Sequence, residues 1–284
     1  MMQETIQAQK LSDLETAILT YVRPDTFPLA IRVLKKEEEL PVRVKRPARD
    51  FGKTFSICQG VTMSRRYGWS IAMGKEDLSC PIAKIAFGFE EELDYYSKGS
   101  LTDGMYTKTC DLGALTEAAV PKFSKEEAGT VLMAPLGRAA FEPEVITVYG
   151  NSAQVMRMVA AALYHTGGEI TSTFTARADC ADIVIKTIKT GKPQVILPCY
   201  GDRVFGQTHD HEMAFTIPFS MADEFAEGLQ QTHKGGVRYP VPTYLQYEAK
   251  YPDTYEKLNE MFDSLPDYLM LVPLREVPAC FILG

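Results

Sequence analysis

The sequence lacks the short motifs that mark the commonest enzyme classes. It has no glycine-rich phosphate loop ending in Gly-Lys-Ser/Thr, no Gly-x-Ser-x-Gly nucleophile elbow and no dinucleotide-binding glycine fingerprint after a strand. Four histidines in 284 residues leave little material for a zinc enzyme built on imidazole ligands. The motifs therefore name no reaction and no catalytic residue.

Long apolar runs and an excess of positive charge are also missing. No apolar stretch approaches the roughly 20 residues that cross a bilayer, and residues 1–10 are polar instead of forming the apolar part of a signal peptide. The net charge of −7 disfavours nucleic acids and anionic membranes as partners, because both attract basic surfaces. We therefore expect a cytoplasmic protein whose six cysteines are thiols or metal ligands and not disulfides.

Helical and strand patterns alternate along the chain. Apolar side chains at three- and four-residue spacing predict an N-terminal helix over 2–22, which Pro24 ends. Further strands are predicted at 27–34, 69–73, 145–149, 195–197 and 213–217, and helices at 58–67, 152–165 and 221–231. This pattern indicates an α+β protein with mixed sheets and packed helices, in one compact domain over 1–284.

Two stretches, one in each half of the chain, carry the same order of features. In the first, Cys58 begins a helix that Gly68 ends, and a strand leads from there to Cys80. In the second, the corresponding residues are Cys180, Gly191 and Cys199. The cysteine-to-glycine steps are 10 and 11 residues, and the glycine-to-cysteine steps are 12 and 8. We interpret this as a weak internal duplication, with halves at about 24–150 and 151–284, although strand–helix pairs can also resemble each other by chance.

The paired cysteines are the strongest candidates for chemistry. Thiolates are soft ligands for iron–sulfur clusters, zinc and copper(I), and four of them suffice for a cluster. A site at the junction of the two halves would collect four ligands, Cys58, Cys80, Cys180 and Cys199. Cys110 could replace one of them, and Cys280, in an apolar run, is expected in the core. Inert buried thiols and reactive redox thiols are the alternatives that remain open.

A second candidate site follows the last of these cysteines. The strand at 195–197 is an unbroken apolar run, which predicts burial on both faces. Just beyond it, Gly201 and Arg203 would bring free backbone N–H groups and a guanidinium to one rim, where a carboxylate or phosphate could bind. We expect Arg203 to face the junction of the halves, beside an anion or beside Asp182 or Asp202. The alternative is an Asp202–Arg203 pair at a surface turn.

The same stretches resemble a family of uncharacterised bacterial and archaeal proteins, the family labelled domain of unknown function 169. The resemblance rests on Cys58 with a second cysteine about twenty residues on, the Cys-Ala-Asp helix start at 180–182 and the Pro-Cys-x-Gly-x-Arg turn at 198–203. It spans most of the chain from about Phe27 onward. The family implies no settled activity, but its resemblance to proteins of anaerobic metabolism favours an iron–sulfur cluster. Cys110 lies outside the family pattern.

These observations favour a protein that binds an iron–sulfur cluster or a metal through its cysteines. Its role would be that of an accessory to redox metabolism, acting with a redox partner protein. The alternative is a cofactor-free binding module that holds a small anionic metabolite between its two halves, with Arg203 as the anchor.

Overall fold

The computed structural model describes residues 2–125, 127–241 and 249–264. The chain forms two compact units, Met1–Val241 and Pro242–Gly284. The single domain expected over 1–284 stays a prediction, and Cys280, expected in the core, lies outside the described residues. Among the described helices, none combines the length and the apolar character that a bilayer crossing requires.

A six-stranded sheet forms the centre of the first unit. Its strands are β1 (Leu29–Leu34), β2 (Ile71–Met73), β3 (Thr130–Pro135), β4 (Val145–Gly150), β5 (Gln194–Ile196) and β6 (Met213–Pro218). They lie in the order β2-β3-β1-β4-β6-β5, and every neighbouring pair is antiparallel. The predicted α+β class is therefore confirmed, with an antiparallel sheet where a mixed one was expected.

Helices of the first unit surround this sheet, and the last described helix belongs to the second unit. They are α1 (Met2–Tyr21), α2 (Pro47–Phe51), α3 (Ile57–Tyr67), α4 (Pro81–Ala86), α5 (Asp94–Ser97), α6 (Cys110–Ala118), α7 (Ser152–Ala162), α8 (Asp179–Ala181), α9 (Thr187–Thr190), α10 (Tyr200–Phe205), α11 (Ala222–Lys234) and α12 (Asp253–Asp263). A π-helical turn, Asp182–Lys186, joins α8 to α9 in one continuous helix over 179–190.

Successive residues of a strand point to opposite faces of the sheet, and a hydrophobic core covers each face. On one face, Leu29 and Ile31 of β1 pack in a core with residues of α3, α4 and the 179–190 helix. On the other face, Ala30 packs in a second core with residues of α1, α7 and α11. The cysteine stretches belong to the first of these faces, where Cys180 is part of the core.

The two halves of the sheet have corresponding strand orders. From edge to centre, one half reads β2-β3-β1 and the other reads β5-β6-β4, so that β1 and β4 meet in the middle. An approximate twofold relation between the halves would give this arrangement. The order supports the predicted duplication, which stays a prediction until the two halves are superposed.

Both cysteine stretches form helices of the same design. α3 begins one residue before Cys58 and ends at Gly68, whose φ of 73° is the left-handed conformation that satisfies the last carbonyls. The 179–190 helix begins one residue before Cys180 and ends at Gly191, with a φ of 60°. The extra residue in the second cysteine-to-glycine step is accommodated by the π-helical turn Asp182–Lys186, because a π turn holds one more residue than an α turn.

The second cysteine of each stretch follows an edge strand and immediately precedes a short helix. Cys80 comes directly before α4, and Cys199 comes directly before α10. β5 is an edge strand that is covered on both faces, as expected, since Ile196 lies in the first core and Val195 packs against the second, but Leu197 follows the strand and is 40% exposed. Each edge strand thus leads its cysteine to the first turn of a helix.

Candidate functional site

A cavity of about 520 Å³ opens between these helix starts. The four cysteines of the predicted site all line it, namely Cys58, Cys80, Cys180 and Cys199. The rest of its wall is mostly apolar. The fold therefore gathers both ends of both cysteine stretches around one space.

The tightest group in this wall consists of Cys58, Asp179 and Cys199. All three residues are buried, and the two Sγ atoms and a carboxylate oxygen lie within 4.8 Å of one another. Cys199 Sγ is 3.1 Å from Asp179 Oδ1. Cys80 and Cys180 line the same cavity without belonging to this group. The group thus combines the first cysteine of one stretch with the second cysteine of the other.

Three helix starts position these side chains. Cys58 is the second residue of α3, Asp179 is the first residue of α8, and Cys199 caps α10. The Asp179 carboxylate accepts a hydrogen bond of 2.9 Å from the backbone N–H of Cys180, which fixes its direction. The hydroxyl of Thr62 in α3 donates to the carbonyl of Gly206, just after α10, and so ties these two helices together.

Asp202 extends the group into a buried polar network. Its carboxylate accepts hydrogen bonds from the hydroxyls of Thr208 at 2.7 Å and of Tyr149 at 3.3 Å. The guanidinium of Arg65 lies 4.2 Å from the centre of the Tyr149 ring and pairs with Glu212 at 2.7 Å. Asp202 Oδ1 is buried without a hydrogen-bond partner among the described residues. The site therefore concentrates acidic groups around a cation that is already paired.

Burial and mutual contacts decide where the protons lie. Burial, together with the charges of Asp202 and Cys199, raises the pKa of Asp179 well above its ordinary value. The hydrogen bond to Cys199, followed by burial, raises the pKa of Cys58. Hydrogen bonding with Cys58, and also with Asp179, lowers the pKa of Cys199 to about 6, although burial opposes this. At neutral pH, Cys199 is therefore mainly a thiolate, whereas Cys58 keeps its proton.

Cys180 lies close to the same charges. Burial raises the pKa of its thiol, and the charges of Asp179 and Cys80 raise it further. Cys180 is therefore a protonated thiol at neutral pH.

Of the other predicted site residues, Gly201 lines the cavity, whereas Arg203 and Cys110 do not. The Arg203 guanidinium donates a hydrogen bond of 2.6 Å to the carbonyl of His209. Arg203 pairs with neither Asp182 nor Asp202. The reason is the helical twist of α10, which turns the Asp202 carboxylate inward and the next side chain toward another side. Cys110 is the first residue of α6, and its Sγ lies 3.3 Å from Asp103 Oδ2. It is not among the residues that line the cavity.

Two residues of the site that precede Cys180, Arg177 and Asp179, do not stand out in the sequence. An acidic residue in the first turn of a helix is common because it interacts favourably with the helix dipole, so Asp179 does not stand out as a ligand. Arg177 lines the cavity and pairs with Glu117 at 2.7 Å. That partner is 60 residues away in the sequence, so only the folded chain reveals the pair.

The chain matches known proteins of unestablished activity. An uncharacterised protein of the archaeon Methanocaldococcus jannaschii is 30% identical to it over 116 residues, which make up 40% of this chain and 49% of that protein. The match therefore spans about half the length of the curated relative. No solved structure matches the chain. The family model described as uncharacterised ArCR matches residues 17–228, which is well over half of the sequence, and the chain therefore belongs to the family labelled domain of unknown function 169.

Proposed function

We propose that this protein holds a thiophilic metal centre with Cys58, Cys199 and Asp179 as ligands. The observation that carries the proposal is the convergence of three buried ligand atoms within 4.8 Å. Two thiolates and a carboxylate are a donor set that suits zinc or ferrous iron.

The distances fit a single ion. In a tetrahedral site with metal–sulfur bonds of about 2.3 Å, neighbouring ligand atoms lie roughly 3.8 Å apart. Atoms already within 4.8 Å of one another reach that spacing through small side-chain rotations. Cys58 would lose its proton on binding, as thiol ligands of metals do.

The charges of the site favour a cation as well. Asp179 and Asp202 are buried carboxyl groups whose pKa values burial raises, because the interior solvates several negative charges poorly. A divalent ion bound to Asp179 and the two cysteines would compensate the negative charge of these groups. Arg65 compensates part of the charge of Asp202, but it is itself paired with Glu212.

An iron–sulfur cluster is the second form that this centre could take. It would use Cys80 and Cys180, which line the same cavity, together with Cys58 and Cys199. A single ion needs neither Cys80 nor Cys180. The accessory role in redox metabolism, in a reducing cytoplasm, belongs to the cluster form of the proposal.

Metal analysis of the full-length protein, purified anaerobically and reconstituted with Zn²⁺, Co²⁺ or iron with sulfide, tests the proposal. We expect stoichiometric metal in the wild type and in the control Cys110→Ser, whose thiol is outside the cavity, and loss of metal in Cys199→Ser. Cobalt bound to thiolates would also show a charge-transfer absorption band. Cys180→Ser separates the two forms, because a single ion survives it and a cluster with bound sulfide does not. Metal near zero in every reconstitution would contradict the proposal.

A further inference from the structure

The cavity is larger than a metal centre needs. Its volume of about 520 Å³ falls within the range of small-molecule sites, roughly 300–1,000 Å³. Beyond the cysteines, apolar residues such as Pro81, Ile82, Ala83 and Phe205 line much of it. The space beside the thiols therefore suits an organic molecule with an apolar body.

Arg177 supplies the cationic side chain in this wall. Among the described residues that line the cavity, no other carries a positive charge. Arg177 is 91% buried, since its relative exposure is 9%, and its guanidinium lies 4.1 Å from the centre of the Tyr106 ring. Its Nε and Nη2 atoms both contact Glu117 Oε1, at 2.8 and 2.7 Å. Nη1 has no hydrogen-bond partner within the described part of the chain.

The pair between Arg177 and Glu117 leaves one edge of the guanidinium free. A guanidinium presents five N–H donors in a planar fork, and two edges of that fork can each receive a carboxylate. Glu117 occupies one edge through a single oxygen, while its Oε2 is buried without a partner. Since Arg177 lines the cavity, Nη1 is the guanidinium nitrogen that remains for an acceptor bound there.

We propose that the cavity binds a small organic monocarboxylate with an apolar or aromatic body, anchored by Arg177. The carboxylate accepts hydrogen bonds from the free edge of the guanidinium, and the body lies along the apolar wall toward the thiols. A phosphate dianion fits less well, because the described lining offers a single cationic side chain. The anion anchor thus differs from Arg203, which the sequence favours. Neither Arg177 nor Glu117 belongs to the group that would hold the metal, so this site does not depend on the metal centre.

Calorimetric titration of the full-length protein with benzoate, and with benzyl alcohol as the uncharged analogue, tests this proposal. We expect saturable benzoate binding and at least about tenfold weaker binding of benzyl alcohol, because a charge-assisted hydrogen bond is lost. Glu117→Gln should tighten benzoate binding, since it removes the negative charge that competes for Arg177. Arg203→Gln is the matched control, as it removes a guanidinium outside the cavity, and it should leave the affinity unchanged.

Removal of Arg177 needs a compensated variant. Arg177→Gln alone would leave Glu117 buried without its cation and destabilise the fold, so the double variant Arg177→Gln with Glu117→Gln is used. We expect it to lose benzoate binding by about tenfold or more. Unchanged affinity in this double variant, benzyl alcohol bound as tightly as benzoate, or no saturable benzoate binding to the wild type would each overturn the proposal. Titrations with and without added Zn²⁺ separate this outcome from a failure of the metal centre, because metal-free protein should bind benzoate with the same dependence on Arg177.

Discussion

In the first cysteine stretch the helix begins with Ile57 and Cys58, whereas in the second it begins with Asp179 and Cys180. The two helices otherwise share their design, from the cysteine in the second position to the left-handed glycine at the end. The residue before the cysteine is apolar in one and acidic in the other. That single difference decides which stretch can offer a carboxylate to a metal.

The thiols combine across the stretches. Cys58 meets Cys199, and Cys180 is close enough to Cys80 for the charge of Cys80 to raise its pKa. Each pair thus contains the first cysteine of one stretch and the second of the other. Within the residues that the structure describes, Asp179 forms a three-ligand group with the first pair and not with the second.

The residue three positions after the second cysteine shows the same inequality. It is Ala83 in the first stretch and Asp202 in the second, and both are buried. The residues that flank the second stretch therefore supply the two buried acids whose charges act on Cys58. The two stretches have similar backbones but do not supply equal numbers of ligands, because the acids that surround the thiols come from one half.

The largest expected effect concerns the buried cation of the first stretch. Arg65 is 1% exposed and pairs with the buried Glu212. The corresponding position of the second stretch, seven residues after its first cysteine, is Thr187 in α9, whose hydroxyl shares a 2.7 Å hydrogen bond with that of Thr216. Arg65→Met would remove the buried guanidinium partner of Glu212 and leave it only Arg66, at 3.0 Å, as an ionic partner, so it should cost about 3 kcal/mol of unfolding free energy. Thr187→Val should cost about 1 kcal/mol.

Urea denaturation of the two variants measures this difference. Costs of similar size would show that the Arg65–Glu212 pair is solvated and not part of the rigid support of the site.

The next effect concerns metal affinity. Asp179→Asn removes an anionic ligand and should weaken zinc binding by about a hundredfold, which corresponds to roughly 2.7 kcal/mol. The matched substitution at the corresponding position, Ile57→Val, should leave zinc affinity unchanged. Competition titration with a chromogenic chelator measures both. Equal affinities for wild type and Asp179→Asn would remove the carboxylate from the ligand set.

The pH dependence of stability distinguishes the same two positions. The pKa of Asp179 is raised in the folded protein, so this carboxyl stabilises the metal-free protein below its unfolded pKa and loses that contribution as the pH rises through the folded value. The stability of Asp179→Asn relative to wild type should therefore increase as the pH rises from acid toward neutrality. Ile57→Val should cost about 1 kcal/mol at every pH.

Denaturation curves of the metal-free proteins at several pH values provide this test. A constant difference between Asp179→Asn and wild type would show that Asp179 titrates normally.

The smallest effect concerns the glycines that end the two helices. Both have positive φ, so an alanine should cost about 1 kcal/mol at either position. A Cβ at Gly68 would also come within 2.8 Å of Arg138 Nη1, whereas one at Gly191 would meet nothing within 4 Å. Gly68→Ala should therefore lower the melting temperature more than Gly191→Ala does. The reverse order would mean that the Arg138 side chain moves aside without cost.

Much of the fold could be predicted from local patterns, and the site only in part. The helix starting at Cys58 and ending at Gly68 follows from apolar spacing and a glycine stop, and the α+β class follows from such elements together. The edge position of β5 could not be predicted, because an apolar run does not reveal its neighbours in a sheet. The roles of Asp179 and of the Arg177–Glu117 pair could not be predicted, because they arise from contacts between segments far apart in the sequence.

X-ray absorption spectroscopy of the zinc-loaded protein tests most directly whether one cysteine from each stretch and the acid of the second stretch share a metal. We predict two sulfur scatterers at about 2.3 Å and an oxygen shell at about 2.0–2.2 Å, with the oxygen shell altered in Asp179→Asn and the sulfur count unchanged in Cys180→Ser. A shell without sulfur, or one with four sulfurs that loses one in Cys180→Ser, would contradict the ligand set Cys58, Cys199 and Asp179.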